Sequence, residues 1–573
     1  MPESPVSLAR PRIWPGAVIV VAYLLVALGM SLLGTTNIQN FIGLILVPLG
    51  AAVLLGIWWL AASRVPVLDR VLGFVLPASA LGLLYCFQES WDGMLLAYAI
   101  PAMTVGAVAV LILTQRMVWR RQRWVALVYM MVCASVFAAL RVDTVSGGLA
   151  PVVSWRWSPT AIERSEALPG IDVQKTASLP AQAGAADWPA FRGAQRDGRV
   201  VGTTFHSDWT TPPREVWRRK IGPAWSSFAA VGDYLFTQEQ RGSDEAVVCY
   251  LAATGEPVWA NRVTARYEDK MGLGPRATPT FFEGRLYTQG ATGIVQCLEA
   301  ATGATVWKRS LAEDAGADVP GFGFSSSSLV VGDLVIVFAC GDEGKGAVAY
   351  KRASGDVAWM AGHGTTTYSS PHFAVLAGVP QVLMVTNGGM QSLAPDTGAS
   401  LWEHEWKIPT NPRCTQPLLV DDRRVMFGAT GTSGSRLLRV EKKDEAWDVG
   451  TVWTTKKFRP YFNDYVLHKG YCYGFDGSRF ACIDIETGER KWEGHRYDGQ
   501  VLLVANMDAL LVLSEAGDVV LIEATSERFN ERARFKALRG KTWNHPVIVN
   551  GKLYVRNSEE AACFELRPAS AAG

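Results

Sequence analysis

Basic residues that could bind an anionic ligand recur in the C-terminal two-thirds of this 573-residue chain. Together with three neighbouring residues, the candidates are Arg276, Arg413, Arg459, Lys541, Trp543, Asn544 and His545. Aromatic residues alternate with them at Trp225, Phe324, Tyr368, Tyr461 and Phe462. Guanidinium groups bind carboxylates in a planar, bidentate geometry. If these residues meet around one opening, they form a cationic mouth suited to a polycarboxylate or to acidic peptide side chains. A solvated loop rim has the same composition, and that alternative stays open.

Other kinds of chemistry find little support in the sequence. The seven His residues lack metal-ligand spacing, no Ser lies in a G-x-S-x-G elbow, and no C-x-x-C-H motif for covalent haem is present. Four of the nine cysteines share one repeat position, namely Cys249, Cys297, Cys482 and Cys563. Equivalent positions in different repeats lie far apart, so we expect small buried side chains there rather than disulfides or ligands.

An internal repeat supplies the elements that must position the candidate residues. The turn Thr-Gly-x-x-x-Trp occurs at residues 254–259, 302–307, 397–402 and 487–492, with 354–359 as a near copy. A recurrence of about 40–50 residues indicates the blades of a propeller. The tryptophans that mark it are Trp217, Trp259, Trp307, Trp359, Trp402, Trp453 and Trp492. One indole at a fixed place in each blade predicts a structural role, docking neighbouring blades, rather than stacking on a ligand.

The number of blades follows from two incomplete ends. A complete unit has three apolar strands, joined by turns that contain Gly or Asn, and a fourth strand that carries the Trp. The last unit, residues 544–566, lacks the fourth strand, whereas the strand of Trp217 lacks three strands before it. We therefore expect the Trp217 strand to pair with the C-terminal repeat. This pairing would close an eight-bladed ring without exposed edges.

The repeat resembles the pyrroloquinoline-quinone (PQQ) type of β-propeller repeat, and residues 187–193 (DWPAFRG) with 196–198 (RDG) resemble the lead-in of PQQ-binding-like propeller proteins. Such repeats occur in quinoprotein dehydrogenases and in the non-enzymatic propeller lipoprotein of the outer-membrane β-barrel assembly machinery. The resemblance implies PQQ with calcium as a candidate cofactor. However, the adjacent Cys pair of the alcohol-oxidising quinoproteins is missing, and no residue matches their calcium ligands or catalytic Asp.

The N-terminal quarter has the composition of a membrane anchor. Five stretches lack Asp, Glu, Lys, Arg and His and have about the length of a membrane-spanning helix. They are residues 13–34, 41–63, 71–88, 93–115 and 124–140. Arginines precede the first stretch and lie in alternate loops, at Arg10, Arg12, Arg64, Arg70, Arg116, Arg120, Arg121 and Arg123. The positive-inside rule then places the N-terminus inside and everything after Leu140 outside the cytoplasm.

The predicted fold class is therefore mixed, a helical transmembrane bundle followed by an all-β propeller. Residues 1–141 are expected to form the five-helix anchor and 142–186 a linker rich in Pro, Ala and Ser. Residues 187–568 are expected to form the eight-bladed propeller, and 569–573 a C-terminal tail.

Two functions agree with this organisation. The first is a scaffold in the cytoplasmic (inner) membrane whose periplasmic or otherwise extracytoplasmic propeller binds a protein or peptide, and the compact blades without long insertions favour it. The second is a PQQ-dependent dehydrogenase that delivers electrons to membrane quinone, because the multi-helix anchor resembles that of the membrane glucose dehydrogenases. A net charge of +2 argues against a nucleic-acid partner.

Overall fold

The structure, a computed structural model, describes residues 11–32, 37–86, 92–171, 173–341, 344–364, 367–408, 413–431 and 433–568. Internal contacts divide the chain into two compact units, Met1–Thr160 and Ala161–Gly573. The boundary falls within the segment predicted as a linker. The predicted tail, residues 569–573, lies outside the described residues.

The first unit contains the apolar helices. They are α1 (Trp14–Leu32), α2 (Asn37–Ile57, extended by the π-helical turn Trp58–Ala62), α3 (Val67–Cys86), α4 (Leu96–Leu113, preceded by the 3₁₀ turn Asp92–Leu95) and α5 (Trp119–Ala139). Three segments are long and apolar enough to cross a membrane, Ile45–Ala62, Leu96–Leu113 and Trp119–Ala139, and Trp14–Met30 is a shorter apolar helix. The five-helix transmembrane bundle stays a prediction.

The second unit contains eight sheets, each with four antiparallel strands, here called blades 1 to 8; the sheet of blade 7 has a fifth, parallel strand. Blade 1 consists of Ala229–Val231, Tyr234–Arg241, Asp244–Leu251 and Pro257–Thr264, and blade 2 of Thr280–Phe282, Arg285–Gln289, Ile294–Glu299 and Thr305–Ser310. Blade 3 consists of Leu329–Val331, Leu334–Phe338, Ala347–Lys351 and Val357–Ala361. Blade 4 consists of His372–Leu376, Val379–Thr386, Gly389–Leu393 and Ser400–Glu405. Blade 5 consists of Leu418–Leu419, Arg424–Ala429, Gly434–Lys443 and Ala446–Thr455. Blade 6 consists of Val466–His468, Tyr471–Asp476, Arg479–Asp484 and Arg490–Arg496. Blade 7 consists of Gln500–Val504, Ala509–Leu513, Asp518–Glu523 and Glu531–Lys536.

Blade 8 joins the two ends of the propeller. Its strands Val547–Val549, Lys552–Arg556 and Glu560–Glu565 come from the C-terminus, and Arg214–Lys220 is its outer strand. The outer pair is antiparallel with Trp217 opposite Cys563. The predicted pairing of the Trp217 strand with the last repeat is therefore present, and the count of eight blades is confirmed.

Smaller elements complete the second unit. They are the helices Ala161–Glu166 (α6) and Leu311–Ala315 (α7), the 3₁₀ turn Ala505–Met507, the paired strands Glu268–Asp269 and Gly272–Leu273, and Arg199–Val200, which runs parallel to the first strand of blade 7.

The residues predicted as a linker carry regular structure. Leu140–Val145 and Pro151–Trp155 form an antiparallel hairpin directly after α5. Further along, the Lys175 amide donates to the carbonyl of Val258 in blade 1, and Ala177 is buried in the core between blades 1 and 2. The linker was predicted from the average composition of the whole segment. A few buried apolar side chains, such as Ala177, are enough to order parts of it.

Five of the repeated tryptophans, Trp217, Trp259, Trp307, Trp359 and Trp453, pack against the glycine turn of the following blade. In blade 2 the indole of Trp307 donates to the carbonyl of Arg352, 2.9 Å away, which lies just before the turn of blade 3. The turn residue Gly355 has a φ of +76°, and a Cβ on it would lie 2.7 Å from the Trp307 ring. Glycine is thus required both for the left-handed conformation and for the close contact with the ring.

The same arrangement explains the irregular units. Trp217, Trp259, Trp359, Trp453 and Trp492 each donate to a carbonyl of the next blade. Blade 5 has no Thr-Gly turn, and Trp402 instead donates to Gln381 of its own blade. Blade 7 carries Phe535 in the Trp position. Because the third and fourth strands of blade 8 come from opposite ends of the chain, no turn joins them that could accept an indole N–H.

A belt of hydrogen bonds joins the innermost strands around the central channel. At one repeat position, a backbone N–H of each of blades 1 to 6 donates to a side chain of the next blade. The bonds run from Ser227 to Thr278 (3.0 Å), Thr278 to Ser327 (3.0 Å), Ser327 to Ser370 (2.9 Å), Ser370 to Gln416 (3.1 Å), Gln416 to Asp464 (2.7 Å) and Asp464 to Gln500 (3.3 Å). The Ser227 hydroxyl donates to the His545 carbonyl of blade 8 at 2.6 Å. Polar side chains here are therefore part of the packing between blades.

Candidate functional site

Residues 188–200, here called the lead-in loop, cross one end of the central channel. Trp188 exchanges two backbone hydrogen bonds with Ala230 of blade 1, and Pro189 accepts one from Phe281 of blade 2. The ring of Phe191 contacts His545 of blade 8 at 4.9 Å. At the other end of the loop, Arg199–Val200 pairs with blade 7.

Two buried arginines of the lead-in loop bind backbone carbonyls of the inner strands. Arg196 donates to Ser327 and Ser328 of blade 3 and to Pro371 of blade 4. Burial lowers the pKa of its guanidinium to about 10. Arg192 donates to the Tyr465 carbonyl of blade 6 and lies 3.5 Å from the Asp464 carboxylate. The loop thus contacts seven of the eight blades.

Aromatic rings surround the opposite opening of the channel, here called the mouth. The ring of Trp543 lies 5.0 Å from that of Trp225 and 4.6 Å from that of Phe462, which contacts Tyr461 at 5.5 Å. On the other side, Phe322 and Tyr368 are 5.5 Å apart. All six side chains are half-buried, so each keeps part of its ring surface accessible.

Two further residues lie near both aromatic sets. Burial raises the pKa of Tyr461 and of Tyr368, and the nearby Cys414 thiol acts on both in the same direction. Arg276 donates to the carbonyls of Phe322 and of Gly272, at 2.9 Å and 2.8 Å. The Gly272 backbone abuts the Trp225 ring. The mouth therefore has two groups of rings, and Arg276 bridges them on one side.

Lys541 lies at the mouth between two indoles. Its Nζ is 3.5 Å from the ring centre of Trp543 and 5.0 Å from that of Trp225, and it donates to the Met271 carbonyl at 2.8 Å. Burial lowers the pKa of Lys541 to about 7, against the opposing effect of the Glu515 and Asp269 carboxylates. Glu515 also accepts the Trp543 indole N–H at 2.9 Å. The ammonium thus contacts two ring faces and one carbonyl oxygen.

Two carboxyls near the mouth are partly or fully buried: Asp498 is half-buried and Glu245 is buried. Burial raises the pKa of Asp498 to about 7, and the Glu515 carboxylate adds to that shift. Burial likewise raises the pKa of Glu245 to about 7, although it accepts the Ala291 N–H at 3.0 Å. Protonation of these groups near neutral pH would change the charge around the mouth.

The three predicted arginines do not converge as free cations. Arg276 pairs with Asp269 at 3.0 Å and lies over the Tyr267 ring. Arg459 binds both oxygens of Asp476, at 2.6 Å and 3.0 Å. Arg413 is fully buried and donates to the carbonyls of Thr386 and Trp406, and burial lowers its pKa to about 9.

The remaining predicted residues divide between the mouth and the channel wall. Trp543 and Lys541 lie at the mouth, as described. The Asn544 amide donates to the carbonyls of Ala224 and Ser226, at 3.1 Å and 2.7 Å. The His545 ring is buried, and burial lowers its pKa well below its usual value. Asn544 and His545 therefore join blade 8 to blade 1 and to the lead-in loop.

Sequence reasoning missed Phe322 and the lead-in arginines. Phe322 lies two residues before Phe324, the residue expected at the opening, which is 2% exposed and packs in the core. Arg192 and Arg196 belong to the lead-in motif. That motif indicated the repeat family, but the sequence alone assigned no role to its arginines. The four repeat-equivalent cysteines are buried free thiols, as expected.

PQQ with calcium fits this mouth poorly. The arginines predicted to hold carboxylates are occupied by Asp269, by Asp476 or by backbone carbonyls. Within the part of the chain that the structure describes, no group of three or more His, Cys, Asp or Glu side chains could hold a metal ion. We therefore derive no step through this cofactor.

The fold and the channel define an eight-bladed propeller of four-stranded repeats. The chain belongs to the family described as outer membrane protein assembly factor BamB, which matches residues 210–383 and 386–571. No curated protein sequence gives a significant match to the chain.

Several solved structures share the fold. Quinohemoprotein alcohol dehydrogenase from Comamonas testosteroni is 12% identical with a TM-score of 0.51, and the match covers 72% of this chain and 84% of the other. BamB from Moraxella catarrhalis is 16% identical with a TM-score of 0.46, over 62% of this chain and 99% of the other. At these identities the similarity speaks for the fold alone.

Proposed function

We propose that this protein is a membrane-anchored propeller that binds segments of other polypeptides at the mouth of its central channel, as a scaffold in outer-membrane protein assembly. The observation that carries the proposal is the presence of six half-buried aromatic rings at the mouth, in one group of four and one pair. Aromatic rings combine a large apolar contact area with little conformational entropy, which suits them to bind peptide side chains. The family membership supplies the assembly context.

The anchor and its orientation are part of the proposal. Three apolar helices can cross a membrane. The turn between α4 and α5 is followed by Arg120, Arg121 and Arg123, which favours a cytoplasmic position for that end of both helices. The propeller would then lie on the extracytoplasmic side of the inner membrane, where an assembly substrate is accessible.

Photocrosslinking of the full-length protein tests the peptide-binding function. A benzophenone amino acid at Phe462, in the mouth, should crosslink to an added unfolded outer-membrane β-barrel protein. The same group at Phe529, a half-buried ring that packs on Trp492, serves as the matched control and should not. The double variant Trp225→Ala/Trp543→Ala should reduce crosslinking at Phe462. Equal crosslinking from both positions would contradict the proposal.

A cofactor titration tests the dehydrogenase alternative directly. PQQ with Ca²⁺ is added to the purified protein, and thermal unfolding is recorded. Specific binding would stabilise the fold by about 2.7 kcal/mol at a hundredfold excess over the dissociation constant. We expect no shift, because the basic residues at the mouth already bind groups of the protein itself. A saturable shift would favour the dehydrogenase over the scaffold.

A further inference from the structure

The hairpin that follows α5 exposes an unusual amount of apolar surface. We call residues 140–157 the juxtamembrane hairpin. In its second strand, the side chains of Val152, Val153 and Trp155 are 39%, 43% and 43% exposed. Trp157, two residues after the strand, is 73% exposed. The two indoles stack on each other with ring centres 5.0 Å apart. An isolated two-stranded hairpin has little stability in water, and one that exposes valines and tryptophans has still less.

The hairpin is fixed rigidly to the end of a candidate membrane span. Its first strand begins at Leu140, directly after the last residue of α5. The backbone N–H of Arg156 donates to the Ala139 carbonyl at 2.8 Å, and its side chain donates to the Ala138 carbonyl at the same distance. These two bonds satisfy carbonyls at the helix end. The hairpin therefore continues α5 and has no flexible joint with it.

The hairpin also contacts a second candidate span at the same end. Its first strand packs on Asp92–Leu95, the turn that leads into α4. Val142 and Val145 of that strand are 4% and 2% exposed. One side of the hairpin is thus covered by the helical unit itself, while its second strand lies uncovered, level with the ends of α4 and α5.

We propose that the juxtamembrane hairpin lies in the lipid headgroup region and buries Val152, Val153, Trp155 and Trp157 in the membrane interface. The proposal rests on the membrane anchor of the proposed function. Tryptophan is favoured at this depth because its ring is apolar and its N–H is polar. Arg141 of the same hairpin pairs with Asp143 at 2.7 Å, so the apolar side chains carry the contact with the interface. The hairpin would thereby set the depth and tilt of α5.

Depth-dependent quenching of tryptophan fluorescence tests the proposal on the full-length protein in phosphatidylcholine vesicles. Wild type and the double variant Trp155→Phe/Trp157→Phe are compared, and the difference spectrum reports the stacked pair. Lipids brominated near the headgroup should quench most of the difference intensity, and lipids brominated deep in the acyl chain should quench less. Trp492→Phe is the matched control, because Trp492 is buried in the propeller and its difference intensity should not be quenched.

Two outcomes would overturn the proposal and are distinguishable. If the protein stays in the membrane after alkaline carbonate extraction but the Trp155 and Trp157 difference intensity is not quenched, the hairpin is covered by protein and the anchor still stands. If carbonate releases the protein, the anchor fails and the hairpin proposal fails with it.

Discussion

At the scale of single residues, the repeat depends on a glycine as much as on its tryptophan. Gly355 and Gly284 both have positive φ angles, +76° and +71°, but only a Cβ on Gly355 would meet a ring, that of Trp307. We expect Gly284→Ala to cost about 1 kcal/mol for the left-handed conformation. Gly355→Ala should cost a further 1–3 kcal/mol or so, because the added methyl overpacks the contact.

Chemical denaturation of the detergent-solubilised protein measures both glycine variants. Because the two positions share their backbone conformation, the difference between them isolates the packing of the turn on Trp307. Equal costs for Gly355→Ala and Gly284→Ala would show that the turn does not hold the indole.

The lowered pKa of Lys541 makes stability depend on pH in a defined direction. The unfolded chain keeps the Lys541 proton up to its ordinary pKa of 10.5, whereas the folded chain releases it near pH 7. Between these values the unfolded state binds more protons, so raising the pH stabilises the fold. The free energy of unfolding of wild type, relative to Lys541→Met, should therefore rise between about pH 7 and pH 10.

The control for this pH dependence is the exposed lysine Lys536. Denaturation curves are recorded for wild type, Lys541→Met and Lys536→Met at several pH values. Lys536→Met should show no such trend relative to wild type, because its side chain is 54% exposed. A difference between wild type and Lys541→Met that stays flat or falls with pH would contradict the lowered pKa.

At the scale of elements, the lead-in loop holds the inner strands together through Arg196. The variant Arg196→Met leaves the carbonyls of Ser327, Ser328 and Pro371 without this donor. A buried acceptor without a partner costs about 1–3 kcal/mol, so we expect a loss of at least that size. Arg424→Met, which removes a surface ion pair with Asp421 and Glu486, should cost about 0–1 kcal/mol.

Thermal unfolding of the two arginine variants provides the measurement. Arg196→Met should lower the midpoint clearly more than Arg424→Met does. If the order is reversed, the lead-in loop lies on the propeller without supporting it.

At the scale of the whole molecule, blade 8 links the two ends of the propeller. Deleting residues 214–221 removes the strand that pairs with Glu560–Glu565 and exposes its edge. We expect cooperative loss of near-ultraviolet circular dichroism from the entire propeller. Trp217→Phe is the control and should cost only about 1 kcal/mol, that of its hydrogen bond to the Ala252 carbonyl. A deletion variant with an unchanged spectrum would refute closure through this strand.

The proposed topology also makes a prediction for the whole chain. A reporter fused after Ser570 that is active only outside the cytoplasm should be active. Protease added to the cytoplasmic side of inverted vesicles should leave residues 187–568 intact. Cleavage of the propeller from that side would reverse the orientation.

The sequence predicted the propeller well because its determinants are local. A turn of six residues sets the Gly and the Trp of five blades, and the spacing together with the two incomplete ends gives the count. The mouth was predicted less well, because the partner of a basic side chain depends on tertiary packing. Nothing near Arg413 in sequence indicates that Thr386 and Trp406 will accept its hydrogen bonds. The juxtamembrane hairpin was missed because Pro and Gly in its turn dominate the composition of that segment.

The lead-in loop has a consequence for any ligand of the channel. Its arginines bind the inner strands, and its residues Trp188 and Phe191 contact blades 1 and 8, so the loop crosses the channel at the end away from the mouth. A polypeptide bound at the mouth, as proposed, would then enter and leave by the same opening. It would insert only a terminus or a tight turn, and the rest of its length would stay outside the channel.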